Sequence, residues 1–372
     1  MSWVSLLLLL WTQIVVRHIR EIPPESLLCI DSPQHRSHNN IDLIHYQGEY
    51  FLALRTAPTH FPSKRAELRI LRSSNLEDWQ CDTVLRLQRD IREPRWLVWK
   101  EKLFLYYFVG ADKPWRFQSA GIQGMVREAG RNWNHFSVGW PGWVPWRARA
   151  HDSVAYLSLY WGENLYRPHH QAEVRLLMSR DGYTWTPISN YPQVTAPYAT
   201  ETDFWISSKG QLWAIARAEG LGSYLCWAES PSAPWQCKPL PYKYDSPWLF
   251  EAPDGLYLIA RRSLSGVADR APRWWPLSLR RMYNLAYYSL TRKRTALYRV
   301  DTLSHTVEWI QDLPGWGDTA FPTGLWKSET ELLLLNYTSP LKGKDRIWLG
   351  GQLRKTVLYQ ATLQWPRKPA QH

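Results

Sequence analysis

The stretch Thr200-Glu201-Thr202-Asp203-Phe204-Trp205-Ile206-Ser207-Ser208-Lys209-Gly210-Gln211-Leu212-Trp213-Ala214-Ile215-Ala216-Arg217-Ala218-Glu219 holds the unit from which the chain is built. Two apolar runs flank a turn at Lys209-Gly210, the pattern of a β-hairpin. An antiparallel hairpin returns the chain to its starting end. Glu201 enters the first strand and Arg217 leaves the second, so both belong at one edge of the sheet, with Asp203 and Glu219 beside them. Alone, such an acid and base would be a rim ion pair of little energetic consequence. The pair gains weight if the hairpin recurs and its edge faces a pocket.

The hairpin does recur. Asp42 to Leu54 reads as strand, Gly turn, strand, and ends in Arg55. A second unit opens at Asp90-Ile91-Arg92-Glu93-Pro94, with Trp96–Trp99 and Leu103–Phe108 as its hairpin. A third opens at Trp146-Arg147 and pairs Ser153–Leu159 with Val174–Met178. The quoted stretch is the fourth. The fifth opens at Asp245-Ser246-Pro247, turns at Asp254-Gly255 and ends in Arg261-Arg262. The sixth opens at Gly317-Asp318-Thr319-Ala320-Phe321-Pro322, pairs Gly324–Trp326 with Glu331–Asn336, and is followed by Tyr337 and a late strand, Val357–Leu363. Tryptophans close the units at Trp79, Trp133, Trp185, Trp235, Trp309 and Trp365, and four of the five intervals are close to fifty residues. Four-stranded units at such a period predict a β-propeller, here all-β with six four-stranded antiparallel blades. The expected layout is an N-terminal apolar segment and lead-in over 1–38, one propeller domain over 39–366, and a tail over 367–372. A basic, Trp-rich insertion falls at about 263–284 in blade five. No amphipathic segment of helix length is read.

The 372 residues are 45% hydrophobic, enough for a large core, with 24 Trp and 20 Tyr. Aromatic residues favour strands and also stack on sugar rings. The net charge of +12 favours acidic ligands. No arginine-rich tail or zinc-finger spacing accompanies it, so no nucleic-acid partner is expected. Cys29, Cys81, Cys226 and Cys237 show no metal-ligand spacing. Buried free thiols are expected, with a Cys226–Cys237 pair across one hairpin as the alternative. His169-His170 lie in a polar loop without the further acids or histidines a metal site needs. No metal and no cofactor are expected. Val4–Val16 is too short for a membrane span and lacks the flanks of a cleaved signal. A buried strand and an uncleaved export signal or membrane-associating segment both fit it, and export is weighed slightly above a cytoplasmic location.

In a propeller, loops at one end of the axis converge on a central pocket. Arg55, Arg217 and Arg261 end equivalent hairpins, while Arg92 and Arg147 open blades. Several guanidinium groups aimed at one axis repel one another unless acids or an anionic ligand stand between them. Glu201, Asp203, Glu219, Glu93, Asp42 and Asp318 are the acids in comparable places.

These residues carry a resemblance. Ser179-Arg180-Asp181-Gly182-Tyr183-Thr184-Trp185 resembles the Asp-box turn of sialidases and related BNR-repeat propellers, and Ser73–Trp79 and Glu229–Trp235 resemble degraded copies. Glu201, Gly210 and Arg217 are similar to the sialidase segment holding a pocket Glu and the second arginine of a carboxylate-binding triad. Arg261 falls where a further pocket arginine would lie. His38-Asn39, Asp42, Arg55 and His60 resemble a bacterial branch of the same superfamily. The resemblance covers about Asn39 to Leu363. It implies a six-bladed fold and a retaining hydrolysis of an anionic sugar, in which a Tyr helped by a Glu attacks, an Asp serves as acid/base and three Arg hold the sugar carboxylate. Two departures stand out. No Phe-Arg-Ile-Pro segment supplies the first arginine, for which Arg55 or Arg36 would substitute. Phe321 occupies the expected place of the nucleophilic Tyr, and Tyr337 is the nearest replacement.

The candidate catalytic residues are therefore Glu201, Asp42, Tyr337 and His60. The candidate sugar-binding residues are Arg55, Arg92, Arg147, Arg217, Arg261, Asp203, Glu219 and Asp318. This reading requires Arg55, Arg217 and Arg261 to meet in one pocket. Two alternatives remain open. Asp42, Arg92-Glu93-Pro94 and Glu201 are loosely similar to the three acids of furanosidase and invertase-like hydrolases, whose chemistry needs only two carboxylates. A non-catalytic, lectin-like propeller would bind the same acidic glycan. Trp274-Trp275 and Arg280-Arg281 in the insertion read equally as a lid, a partner surface or a solvated loop.

Overall fold

Hairpin turns set the register on which the blades are built. The computed structural model describes residues 13–29, 35–110, 120–128, 130, 132–162 and 173–366. The described chain begins with a strand, β1 (Val15–Glu21), and then enters blade one: β2 (Ser37–Tyr46), β3 (Glu49–Ala57), β4 (Glu67–Ser73) and β5 (Gln80–Leu85). Blade two follows as β6 (Ile91–Trp99), β7 (Lys102–Val109), β8 (Ile122–Arg127) and β9 (Trp133–Gly139). Blade three is β10 (Trp143–His151), β11 (Val154–Trp161), β12 (Val174–Ser179) and β13 (Thr186–Pro187). Blade four is β14 (Ala199–Ile206), β15 (Leu212–Ala218), β16 (Tyr224–Ala228) and β17 (Gln236–Pro239). Blade five is β18 (Asp245–Ala252), β19 (Gly255–Ser263), β20 (Lys293–Asp301) and β21 (Thr306–Asp312). Blade six has β22 (Thr323–Trp326), β23 (Glu331–Thr338) and β24 (Val357–Gln364), and takes β1 as its fourth strand. All pairings are antiparallel, and the six sheets form a six-bladed β-propeller.

Tyr46 pairs with Glu49 and Trp99 with Lys102, leaving two-residue turns. Gln47 and Gly48 have φ of 49° and 81°, Lys100 and Glu101 of 49° and 61°. Positive φ at both central residues is what a tight hairpin between right-twisted strands requires. The turn Ser179–Trp185 is held by side chains. Ser179 Oγ donates to Asp181 and accepts from the Gly182 amide, and Asp181 Oδ1 accepts from the Tyr183 and Thr184 amides at 2.8 and 2.7 Å. Gly182 sits at φ 81°, and a Cβ there would meet the Phe104 ring at 2.5 Å. Ser73–Trp79 repeats the geometry with Asn75 in place of the acid and Leu76 at φ 67° in place of the glycine. Trp79 and Trp185, the residues that close these two turns, are both buried.

The apolar core lies between blades. One cluster joins blades one and two through Phe51, Trp96 and Leu105, another joins two and three through Phe104 and Leu157. Blades four and five meet at Ile215 and Leu258, and five and six at Phe250 and Trp365. The largest cluster reaches from blades three and four to six and one, crossing the axis at Trp146 and Phe321.

Three features depart from the sequence reading. The segment ahead of residue 39 contributes β1, which pairs Val15 with Gln364 and Glu21 with Tyr359 and so fastens the start of the ring to its end. It is an exposed outer strand, because only one of its faces meets a neighbour. The cysteines are not free thiols: Cys29 is bonded to Cys81 and Cys226 to Cys237. The first pair crosses 52 residues, tying the lead-in to blade one, and the second links directly opposed positions of β16 and β17. The insertion in blade five contains a helix, α1 (Leu277–Ser289). A second, short helix, α2 (Trp348–Gln352), lies between β23 and β24. Among the described residues no helix is long and apolar enough to cross a membrane. Val4–Thr12 and His169-His170 lie outside the described residues.

Candidate active site

Each inner strand slips register near its start. The shifts fall between Asn39 and Ile41, Arg92 and Arg95, Pro145 and Arg147, Ala199 and Thr202, and Asp245 and Trp248. In blade six a lone bridge, Thr319 to Thr338, precedes the regular pairing of Thr323 with Leu335. Such bulges re-aim side chains. Asn40, Glu93, Ser246 and Ala320 have φ of 45°, 52°, 49° and 75°. The bulged residues touch one another around the axis. Asn40 Nδ2 donates to Glu93 Oε1 at 3.2 Å, the Ser246 amide to Glu201 Oε2 at 3.0 Å, and the Trp146 and Phe321 rings meet edge-on at 5.3 Å.

Below this ring lies a closed tier of charges. Asp42 accepts the Trp96 amide at 2.8 Å, its own neighbour Leu43 N at 3.2 Å and the Thr323 hydroxyl at 3.0 Å. Asp203 repeats this three blades on, with the Leu249 amide at 3.0 Å and Phe204 N at 2.7 Å. Each acid thus pins the next blade's inner strand. Arg147 bridges the two acids, at 3.0 Å from Asp203 and 3.6 Å from Asp42, and Arg149 also binds Asp203. Asp42, Asp203 and Arg147 are buried and their oxygens are taken by main-chain donors, so this tier holds blades together. Arg95 is buried beside it, stacked over Trp146 at 4.4 Å and Phe321 at 4.5 Å. Phe321 therefore serves as one face of a guanidinium sandwich.

A second group of charges lies at the strand ends beyond this ring. Arg217 is ion-paired with Glu201, Glu219 and Asp245. Lys243 lies 3.2 Å from Glu219 and 3.0 Å from Asp245. Arg261 lies between Asp245 and Asp318, at 3.7 and 3.8 Å, and stacks on Trp348. Asp318 meets His60 Nδ1 at 2.7 Å and accepts from Tyr337 Oη and Trp348 Nε1, both at 3.1 Å. Glu93, Glu201, Arg217, His60 and Arg92 keep side-chain exposures of 9 to 17%, little above the 7 and 8% of Arg147 and Asp42.

Burial sets the protonation states. Burial pushes the Glu93 carboxyl up to about 7; Arg95 opposes the rise and the charge of Glu201 adds to it. Burial would raise Asp318 as well, but His60 and Arg261 outweigh it and hold that carboxyl below its ordinary value. Burial and the charge of Asp318 push the Tyr337 phenol well above 10. The phenol donates a hydrogen bond to Asp318 and keeps its proton, so the residue is a poor nucleophile in this state. Burial lowers Lys243 to about 8 and Lys293 to about 6.

Arg217 and Arg261 do meet, through Asp245. Arg55 does not join them. It is fully buried, gives its Nε and Nη2 to Asp90, and also donates to Asn39, Thr59 O and Phe61 O. Arg92 grips the same Asp90 and the His60 carbonyl. Asp203 and Arg147 lie in the closed tier, and Asp42 with them. Glu93, read from the sequence only as one acid among several, emerges as a carboxyl that its setting raises, where Asp90, Asp245 and Asp318 are lowered. Its signal was Pro94: a proline inside an inner strand has no amide for the ladder and marks a bulge. Pro145, Pro247 and Pro322 mark three others.

The insertion packs onto this cluster of charges. Arg281 donates to the Glu219 carbonyl and stacks on Tyr198 at 4.2 Å, Asn284 donates to the Gly220 carbonyl, and Tyr288 hydrogen-bonds Asp245.

Solved structures share this architecture. A protein of unknown function from Dyadobacter fermentans superposes with a TM-score of 0.62, covering 93% of this chain and 99% of its own at 14% identity. The endosialidase of phage phi92 gives 0.66, covering 96% of this chain and 70% of its own at 10% identity. Trypanosoma rangeli sialidase in complex with sialic acid gives 0.56, covering 89% of this chain and 54% of its own at 10% identity. The chain thus has the fold of the sialidase-like six-bladed propellers. No family model matches it, and no curated protein matches it.

Proposed function

We propose that the protein is a glycoside hydrolase whose chemistry is carried by two carboxyl groups, Glu93 on blade two and Glu201 on blade four of the axial ring. The observation that carries this reading is the pair of bulges, at the starts of β6 and β14, that bring both acids to the axial ring within reach of each other's charge. Glu93, lodged among buried groups and kept protonated near neutral pH, is the proton donor to the leaving oxygen. Glu201, against Arg217 and the Ser246 amide, is the opposing carboxylate. Pairs of acids whose settings differ in this way divide the roles of acid and of nucleophile or base. His60 and Asp318 border the pocket and orient the sugar. Arg217 and Arg261 are already matched by Glu201, Glu219, Asp245 and Asp318, so they shape the pocket and do not depend on an anionic ligand for balance. An exported setting is consistent with two disulfides, which persist in oxidising compartments.

The test is turnover of a panel of aryl glycosides that includes sialosides, uronides and neutral furanosides and pyranosides. Hydrolysis of one class by the wild type, and its loss in both Glu93→Gln and Glu201→Gln, is expected. Hydrolysis retained in both variants would refute the assignment, and glycan binding without any turnover would favour the lectin-like alternative.

A further inference from the structure

One helix away from the axial site lies a cavity of about 590 Å³ lined by Arg36, Arg346, Gly350, Leu353, Arg354 and Lys355. Its volume is that of an ordinary small-ligand site. Four of its six lining residues are cations and none is an acid. Asp345, the acid next in sequence, is engaged by Arg294 at 2.8 Å and by Arg292 at 3.8 Å. Four like charges around one concavity raise each other's energy and concentrate anions there. The axial cluster differs, since Arg95, Arg147, Arg217, Lys243 and Arg261 there each stand against a carboxylate.

The wall between the two is α2. Its Trp348 indole donates to Asp318, Gly351 backs onto the same residue so closely that a Cβ would lie 2.2 Å from Asp318 N, and the Gln352 carbonyl accepts the His60 amide. Gly350 faces the cavity, and Leu353, Arg354 and Lys355 follow directly. A ligand in the axial pocket and one in the basic cavity are therefore separated by one helix, about 10 Å.

We propose that this cavity binds the sulfate or carboxylate groups of an acidic oligosaccharide whose cleaved end occupies the axial pocket. The second half of that statement rests on the hydrolase reading above; the first does not. It places recognition of the glycan's charge outside the reacting centre. Guanidinium forks suit such oxyanions because they bind them bidentately.

The experiment is calorimetric titration of the full chain with a heparin-derived hexasaccharide and with a neutral hexasaccharide that carries neither sulfate nor carboxylate. The wild type is compared with R346Q/R354Q/K355Q, and with R354E alone in case the triple variant folds poorly. The wild type is expected to prefer the sulfated sugar by about tenfold or more, and each variant to lose about tenfold or more of that affinity. Equal affinity for the two sugars, or unchanged affinity in a folded variant, would overturn the proposal. So would tighter binding of single-stranded DNA or of phosphatidylserine vesicles through the same residues. The readout is binding, so an absence of hydrolysis in the wild type would sink the axial reading and leave this one standing.

Discussion

Asp42 and Asp203 accept main-chain amides of the following blade, and their remaining contacts are to threonine and arginine donors. Glu201 stands two residues before Asp203 on the same strand, and Glu93 takes the bulged position of β6. Both tiers pair acids with arginines near one axis. What separates them is the backbone: the deep acids sit on regular strand, the upper ones in bulges. Asp42 and Asp203 pin a neighbouring strand and fix geometry, whereas each bulged glutamate divides its two oxygens between two donors, Asn40 and Arg95 for Glu93, Arg217 and the Ser246 amide for Glu201. Net charge and residue type do not distinguish these roles; the partners do.

The comparison breaks first on stability. Asp203→Asn leaves Arg147 and Arg149 buried without their acid and is expected to cost about 3–5 kcal/mol in urea unfolding. A loss under about 1 kcal/mol would mean that the deep tier does not hold the blades. Glu201→Gln is expected to do the converse, lowering kcat/KM by roughly 10²–10⁴ while the melting temperature stays close to that of the wild type.

Glu93 links the two measures. Its ordinary value of 4.5 becomes about 7 in the folded protein. Between those values the native state holds a proton that the unfolded chain has released. Stability therefore falls as pH rises through this window and levels off above it. Glu93→Gln removes the effect. The variant is expected to be more stable than the wild type at pH 8, by up to about 3 kcal/mol, and equal to it at pH 4. Melting curves at the two pH values check this, and an unchanged difference would show that Glu93 is not held protonated. The same protonation predicts an alkaline limb of activity near pH 7. Tyr337→Phe is the mildest change. It removes one hydrogen bond to Asp318, about 1 kcal/mol, and is expected to lower kcat less than about tenfold. A collapse of activity would restore the tyrosine as nucleophile.

The sequence showed the blades clearly because aromatic hairpins at a fixed spacing have one economical packing. It hid α1 for a physical reason. The buried face of that helix is Arg281, Asn284 and Tyr288, a helical spacing written in polar residues, so no hydrophobic period exists to be seen. Cys29 and Cys81 lie 52 residues apart and carry no local sign of their bond. Arg55 occupied the right kind of position for an anion binder, yet its partner Asp90 comes from another blade and is invisible until the ring closes. Glu201 with Arg217 was legible because the hairpin that joins them is local. Glu93 was half legible, through a proline whose meaning depends on knowing that the strand is an inner one.

The strand β1 that closes the ring also sets a direction. Val15 pairs with Gln364, and the Gln364 side chain and the Trp365 amide both bond to Thr330 in the β22–β23 turn, at the end of blade six away from Asp318. Gln13 and Pro366 therefore lie at the end of blade six opposite Asp318 and His60. A support, fusion partner or surface attached at either residue would present the axial opening and the basic cavity outward, with the propeller body as the spacer.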